Sequence, residues 1–205
     1  MADTLDLLTL AEGKTAVNIP TANTDHDTEL AQHITAVSRI IDAECGPVVN
    51  RTVTAEIHGG GPLYVNHQPL VSVSLVREAS GSTITTHSAV AFGAVTDGYH
   101  IDPAGTGRIY RTSGGYRYDW DWGNQIEITY VAGRAANTAA VDPRFKAAAA
   151  SILRRLWKRE SGTWAQSPSF FEGEIGEVTD IGFYRVAKPI IDDMLRDQKR
   201  PKAIA

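Results

Sequence analysis

The residues with the clearest potential for chemistry lie in YRYDWDWGN, residues 116–124, where Asp119 and Asp121 alternate with Trp120 and Trp122. Two carboxylates a fixed distance apart, beside rings on which a sugar can stack, are what a glycosidase or lectin requires. On a strand, however, alternation puts both aspartates on one face and both tryptophans on the other, as in a hairpin with one apolar side. We therefore expect Asp119 and Asp121 to be neither catalytic nor metal-binding.

Motifs of the common enzyme classes are absent from the sequence. It contains no GxSxG, no GxxxxGK[ST] and no HExxH, and the run Gly59-Gly60-Gly61 is followed by Pro62 and a strand rather than by a phosphate-binding helix. The six histidines are scattered without ligand spacing. We expect no enzyme activity and no cofactor.

A short acidic run offers the most plausible metal ligands. Asp25, His26, Asp27 and Glu29 carry suitable atoms, but their spacing does not match a calcium loop. Acidic residues in a first helical turn favour the positive end of the helix dipole. We therefore interpret them as a helix start and expect no metal.

Composition indicates an ordinary globular chain. It has 205 residues, 42% of them hydrophobic and 21% charged, and no apolar run approaches the roughly 20 residues of a membrane span. The start lacks the features of a signal peptide. Cys45 is the one cysteine, which excludes an intrachain disulfide. A net charge of -4 argues against non-specific coating of DNA.

Three helices are predicted, over residues 9–17, 27–45 and 142–160. Thr9 and Glu12 fit a capping box, and Asp142-Pro143 fits an N-cap followed by the first helical position. Apolar stripes at spacings of three and four predict that the second and third helices pack together. These stripes are Leu30, Ile34, Val37 and Ile41, and Phe145, Ala149, Ile152, Leu153 and Leu156.

Basic residues of the third helix fall largely outside its apolar stripe. They are Arg154, Arg155, Lys158 and Arg159, here called the basic helix face. Such a face can be a solvated surface, a contact for an acidic partner or a nucleic-acid contact. The net charge favours the first interpretation over the last.

From Arg51 the hydrophobic period changes from helical to two, which predicts half-buried strands. The alternating sets are Val53, Ala55 and Ile57, then Val71, Val73 and Leu75, then Ile126, Ile128 and Tyr130. Glycine-rich turns between them predict an antiparallel meander over roughly residues 52–131. The fold class is therefore α+β: a small helical bundle with a β insertion at about 51–133, followed by a C-terminal extended arm.

The predicted domain ends at residue 162, and residues 163–205 form the arm with a short terminal helix after Pro189. The segment 163–184 is too aromatic for a free linker and too irregular for a helix. Its rings suit docking on a partner, although they could also fold back over the chain's own sheet. They are Trp164, Phe170, Phe171, Phe183 and Tyr184.

Four stretches together resemble the head-to-tail connector (adaptor) proteins of tailed phages. LLTLAEGKTAVNI and DTELAQHITAVSRIIDAECG resemble the family's N-terminal helices, and RTVTAEIHGGGPLYVNHQPLVSVSLV resembles its first strands. ITYVAGRAANTAAVDPRFKAAAASILRRLWKRESG resembles its final strand, Pro-marked loop and basic helix. The resemblance covers residues 7–162 and has no counterpart for the arm.

The resemblance implies a structural protein of the virion neck, assembled in the host cytoplasm. It implies a homo-oligomeric ring, typically of twelve copies, that binds the portal, receives the next neck or tail component and lets the genomic DNA pass without sequence-specific binding. It implies no membrane contact and no catalysis. The alternatives are a carbohydrate-binding or carbohydrate-active module centred on Asp119–Trp122, or another neck component such as a head-closure or tail-terminator protein.

Overall fold

The computed structural model describes residues 3–103, 105–161 and 178–198, and for residues 159–161 and 178–184 it describes the backbone alone. The chain divides into two compact units. A helical unit comprises Met1–Val49 with Ala135–Ala205, and a β unit comprises Asn50–Arg134. The predicted α+β class is confirmed, because helices precede and follow a block of antiparallel strands.

The described residues of the helical unit contain four α-helices, and local sequence signals explain where two of them begin. Thr9 and Glu12 make the reciprocal hydrogen bonds of a capping box. Asp142 Oδ1 accepts from the Arg144 N–H at 2.8 Å, as an N-cap does. Both predicted starts are confirmed. The helices are α1 (Leu10–Ala16), α2 (Asp27–Cys45), α3 (Pro143–Ser161) and α4 (Val178–Met194).

The apolar stripes of α2 and α3 meet in one buried cluster, as predicted from their spacing. Helix α1 joins them through Gly13, where an added Cβ would stand 2.5 Å from Ile34 Cδ1 and 3.6 Å from Leu153 Cδ2. A side chain at this position would have to displace the Ile34 side chain, so glycine suits the close approach. Lys14, also buried, turns its Nζ to the carbonyls of Thr21 and Asn23 and so holds the following loop.

Helix α4 corrects the prediction for the end of the chain. The helix begins at Val178 and contains Pro189 in its interior, so Pro189 is not a helix start and Phe183 and Tyr184 do not lie in an irregular segment. Its stripe of Ala187, Ile190, Ile191 and Leu195 is buried in the same cluster as α2 and α3. The helical period continues through the proline, and this packing offsets the backbone hydrogen bond that the proline cannot donate.

The β unit contains two antiparallel sheets rather than the single meander predicted. The larger sheet has the order β1-β8-β3-β4, so the last strand lies between the first and the third. The smaller has the order β2-β6-β5, with β7 also paired to β6. The strands are β1 (Arg51–Gly61), β2 (Leu63–Tyr64), β3 (Leu70–Ser80), β4 (Thr83–His87), β5 (Gly98–Ile101), β6 (Arg108–Ser113), β7 (Tyr116–Tyr118) and β8 (Trp120–Ala132).

Strand β8 has the alternation predicted for it, because Ile126, Ile128 and Tyr130 are all fully buried. Its neighbours β1 and β3 do not keep the predicted alternation along their whole length. Between Val53 and Glu56, β1 has one residue more than β8, and between Val73 and Leu75, β3 also has one residue more. An extra residue reverses which side chains face inward.

The reversal corrects two predicted strand faces. On β1, Ala55 and Ile57 are exposed, while Glu56 turns inward. On β3, Glu78 is buried beyond the bulge, while Val71 is exposed at another register shift, between Leu70 and Ser72. Both bulges lie beside Thr129 of β8, whose Oγ1 accepts from the Ala55 N–H at 3.3 Å and whose carbonyl accepts from Ser74 Oγ at 3.1 Å. One residue therefore satisfies polar groups of both irregular strands.

We predict that Leu153→Ala lowers the free energy of unfolding by about 2 to 5 kcal/mol, because Leu153 is fully buried between helices and its truncation leaves a cavity. Arg155→Ala, two positions along the same helix and exposed, is the matched control and should change it by less than about 0.5 kcal/mol. Urea denaturation of both variants measures the difference. Equal losses would show that the α2–α3 contact does not hold the unit together.

Candidate functional site

The stretch Asp119–Trp122 does not have the predicted arrangement. Trp120 is 1% exposed and its Nε1 donates to the Ile109 carbonyl at 2.9 Å, whereas Trp122 is 82% exposed. The pairing of β8 with β1 explains the difference. Trp120 pairs with Gly61, and Gln125 pairs with Gly59. Between these two pairs β8 advances by five residues while β1 advances by only two. The extra residues bulge out of the sheet and release Trp122 from the core.

Each aspartate of the stretch is bound to an arginine of β6. Arg108 Nη2 donates to Asp119 Oδ1 at 2.6 Å, and Arg111 Nη1 donates to Asp121 Oδ2 at 3.2 Å. An ion pair leaves a carboxylate less available as a nucleophile or general base. With Trp120 buried as well, one tryptophan and no unengaged carboxylate remain for a sugar, so the geometry does not favour the carbohydrate alternative.

Trp122 is exposed but held in place. A Cβ added at Gly61 would lie 2.7 Å from Trp122 Cη2, so the indole rests directly on the Gly61 backbone. Gly61 also has a φ of 104°, which side chains rarely adopt. A large ring that is both exposed and fixed loses little conformational freedom on binding. Trp122 is therefore a suitable anchor for a protein partner.

A second set of rings lies on the outward face of the smaller sheet, alternating with two guanidinium groups. The sequence analysis missed this set, here called the arginine–aromatic ladder, although Arg108 and Tyr110 have the period-two spacing of one strand face. The remaining members come from β2, β7 and a loop, and no spacing in the sequence links them. The ladder comprises Tyr64, Arg108, Tyr110, Arg117 and Phe92.

Two inward-facing carboxylates in the β unit contact histidines, although the histidines are scattered along the sequence. Glu78 Oε2 lies 2.9 Å from His87 Nε2, both side chains are buried, and Asn124 Nδ2 donates to Glu78 Oε1 at 2.9 Å. The His87 ring also contacts Trp120 edge-on at 5.3 Å. These groups satisfy one another, so they stabilise the bulged sheet rather than form a reaction centre.

Glu56 forms the other such cluster. Tyr130 donates its hydroxyl to Glu56 Oε2 at 2.6 Å, and the Asn66 N–H and His58 Nε2 lie on Oε1. Burial raises the pKa of this carboxyl group, but the hydrogen bonds from Tyr130, Asn66 and His58 outweigh burial, so the pKa of Glu56 lies below its ordinary value of 4.5. The charged form is thus favoured by folding.

The basic helix face is only partly described. Arg154 Nε donates to the Ala16 carbonyl at 2.9 Å. This hydrogen bond links α3 to the end of α1. Arg155 and Lys158 are exposed, and the described part of the chain offers neither an acidic partner. The Arg159 side chain lies outside the described residues. Arg155 and Lys158 are therefore open cations, and the role of the four-residue face stays a prediction.

The predicted docking aromatics cannot be placed together. Trp164, Phe170 and Phe171 lie outside the described residues, and the side chains of Phe183 and Tyr184 do too, although their backbone belongs to α4. Their role in docking stays a prediction.

The acidic run before α2 serves local contacts. Lys14 Nζ is 2.5 Å from Asp27 Oδ1, and His26 Nδ1 is 3.3 Å from Glu29 Oε2. Within the described residues, no three His, Cys, Asp or Glu side chains are grouped as a metal site would need. No helix in that same part of the chain has the length and hydropathy to cross a bilayer.

We predict that Glu56→Gln lowers the thermal unfolding temperature at pH 7 and that the difference from the wild type shrinks as the pH falls below 4.5. The folded-state pKa of Glu56 is depressed, so its stabilisation is complete above the unfolded value and is lost as the pH falls through the folded value. Thermal melts between pH 3 and pH 7 measure this.

Tyr130→Phe, which removes one hydrogen bond to Glu56, should reproduce part of the effect. Tyr110→Phe is the control, because the described residues give its hydroxyl no hydrogen bond. A constant difference between Glu56→Gln and the wild type across this pH range would contradict the assignment.

Comparison with known proteins yields likeness of fold alone. The sequence matches no protein-family model and no curated protein. It is similar to a chain in a solved structure described as the neck of an empty GTA particle computed with C6 symmetry. That match has 18% identity and a TM-score of 0.51, and it covers 90% of this chain and 89% of that chain.

A second solved structure, the virion of a native gene transfer agent (GTA) particle, also contains a similar chain. The identity is 18% and the TM-score 0.50, over 75% of this chain and 78% of that chain. At such identities the shared property is the fold, which in the first match extends over nearly the whole of both chains.

Proposed function

We propose that this chain is a structural protein of the neck of a phage-like particle. The observation that carries the proposal is the shared fold with a chain from the neck of an empty GTA particle, over 90% of this chain and 89% of that one. The motifs at residues 7–162 that resemble connector proteins point in the same direction. The role is one of assembly and not of catalysis.

The surface of the β unit suits a protein that works through contacts with other proteins. Large rings are left exposed there although the unit has a buried core of its own: Phe92, Tyr116 and Trp122 are 66%, 71% and 82% exposed. Aromatic side chains are enriched at the energetic centres of protein interfaces. The bound state of Asp119 and Asp121 gives the same region no free carboxylate pair for catalysis.

In the finer form of the proposal, copies of this chain form a ring that joins the portal of the DNA-filled head to the next neck or tail component. The ring would have twelve copies by the family resemblance, and the genome would pass through it. The net charge of -4 suits a passage that does not hold the DNA through its phosphates. Arg155 and Lys158 are proposed to meet an acidic surface of a neighbouring protein.

Trp164, Phe170, Phe171, Phe183 and Tyr184 are proposed to dock on an adjacent subunit or on the portal. Truncation from residue 163 would not test this role cleanly. It would also remove Ile191 and Leu195, which are fully buried in the helical unit. Alanine substitutions at Trp164, Phe170 and Phe171 leave that buried stripe intact.

Deleting the gene from a phage or gene-transfer-agent host tests the neck role. We predict DNA-filled heads without attached tails, because the component that joins them is missing. Restoring the wild-type gene should restore complete particles, and cryo-EM of those particles should show this chain between portal and tail. Restoration with the triple alanine variant should give tailless heads again.

Complete particles from the deletion strain, or density for this chain elsewhere in the virion, would contradict the neck role. Density at the lower end of the neck would favour the head-closure or tail-terminator alternative.

A further inference from the structure

The arginine–aromatic ladder is an ordered arrangement on an exposed face. In the strand pairing, Tyr64 lies opposite Arg108, and Arg117 lies opposite Thr112. Arg108, Tyr110 and Thr112 alternate along β6 and so share one face. The paired side chains therefore lie on the same outward face of the smaller sheet. Arg108 Cζ lies 5.4 Å from the Tyr64 ring centre and 4.5 Å from that of Tyr110. Arg117 Cζ lies 5.0 Å from the Tyr110 ring and 4.6 Å from the Phe92 ring.

The two guanidinium groups differ in what they still offer. Arg108 is neutralised by Asp119 at 2.6 Å. Arg117 is exposed, and the described part of the chain holds no carboxylate paired with it. A guanidinium that contacts rings through its faces keeps the N–H groups along its edges for bidentate bonds to an oxyanion. The rings also fix the side chain before any ligand arrives, which reduces the entropy lost on binding.

A protein carboxylate fits this site better than the phosphates of a nucleic acid. One unpaired guanidinium neutralises one charge, whereas affinity for nucleic acid comes from many such contacts. A phosphate backbone laid along the ladder would also approach Asp119, which is paired with Arg108. The exposed parts of Tyr64 and Phe92 provide apolar area beside the cation, as an interface with a protein requires.

The chain itself has the complementary charge. It carries 24 acidic against 20 basic residues. In the described part, Asp25 and Asp193 are exposed carboxylates whose side chains make no ion pair there. Both belong to the helical unit. Contact between a cationic ladder and such a carboxylate therefore joins two different surfaces, and contacts of this head-to-tail kind can close into rings.

We propose that the ladder is a carboxylate-binding surface occupied by a second copy of this chain, with Arg117 as the residue that binds the carboxylate and Phe92 and Tyr110 as its positioning residues. The proposal rests on the proposed function in one respect, since it assigns a surface to the ring contact. It differs from that function in being testable on the purified protein.

Sedimentation velocity of the full-length protein over a concentration series is the test. The wild type should self-associate, and Arg117→Glu should weaken the association by about tenfold or more, the equivalent of about 1.4 kcal/mol. Phe92→Ala should weaken it as well, and Arg117→Lys should only partly preserve it because a lysine cannot bind a carboxylate bidentately. Raising the salt concentration should weaken the wild type in the same direction.

Arg77→Ala is the matched control, an exposed arginine of the β unit that is paired with Glu127 away from the ladder. It should associate like the wild type, and all variants should keep the wild-type thermal transition. A wild type that stays monomeric at every concentration would overturn the proposal, as would an Arg117→Glu variant that associates normally. The proposal would also be overturned if Arg117→Glu lost binding to a single-stranded oligonucleotide but kept its self-association.

The outcomes separate this proposal from the neck role. If Arg117→Glu enters complete particles like the wild type, the ladder is not the ring contact, and the neck role stands. If the protein is absent from particles yet associates through Arg117, the neck role fails and the ladder assignment stands.

Discussion

The β unit depends on one strand that must pair on both sides while burying a single face. Strand β8 meets this constraint with Ile126, Ile128 and Tyr130 pointing into the core. Its two neighbours cannot follow it regularly, because each carries an extra residue at the level of Thr129. Thr129 bonds to Ala55 and Ser74, one in each neighbour. Those bonds tie the two bulges to the central strand.

The bulges decide which side chains the β unit buries and which it shows. They turn Glu56 and Glu78 inward, where histidines, Tyr130 and Asn124 satisfy them. They turn Ile57 outward. A further irregularity, between Trp120 and Gln125, releases Trp122. A sheet with regular pairing would bury the apolar members and expose the carboxylates, so the exposure of Ile57 and Trp122 is a consequence of how the strands pair.

The helical unit is built differently, from local signals that agree with its packing. Caps at Thr9 and Asp142 begin two helices, and stripes of apolar residues meet between α2 and α3. Gly13 lets α1 approach closely, and α4 completes the cluster.

Much of the helical unit and the α+β class follow from the sequence alone, because caps and helical periods act over a few residues. The same holds for β8, whose inward face is read directly from Ile126, Ile128 and Tyr130. The sequence did not predict that α4 continues through Pro189. When only neighbouring residues are considered, a proline is stronger evidence for a helix end than the apolar spacing around it is for a helix interior. Packing of Ala187 and Ile191 against α2 and α3 determines that helix.

The candidate site was predictable only in its parts. The residue types of Asp119–Trp122 drew attention to the correct region, but one tryptophan is buried and the other exposed. Arg117 and Phe92 meet across separate elements. An extra residue in a strand leaves the alternation of residue types unchanged, and only its partner strand, far away in the sequence, reveals it. The sequence determined which residues favour helix or strand, whereas hydrogen bonding between distant strands decided which of them face water.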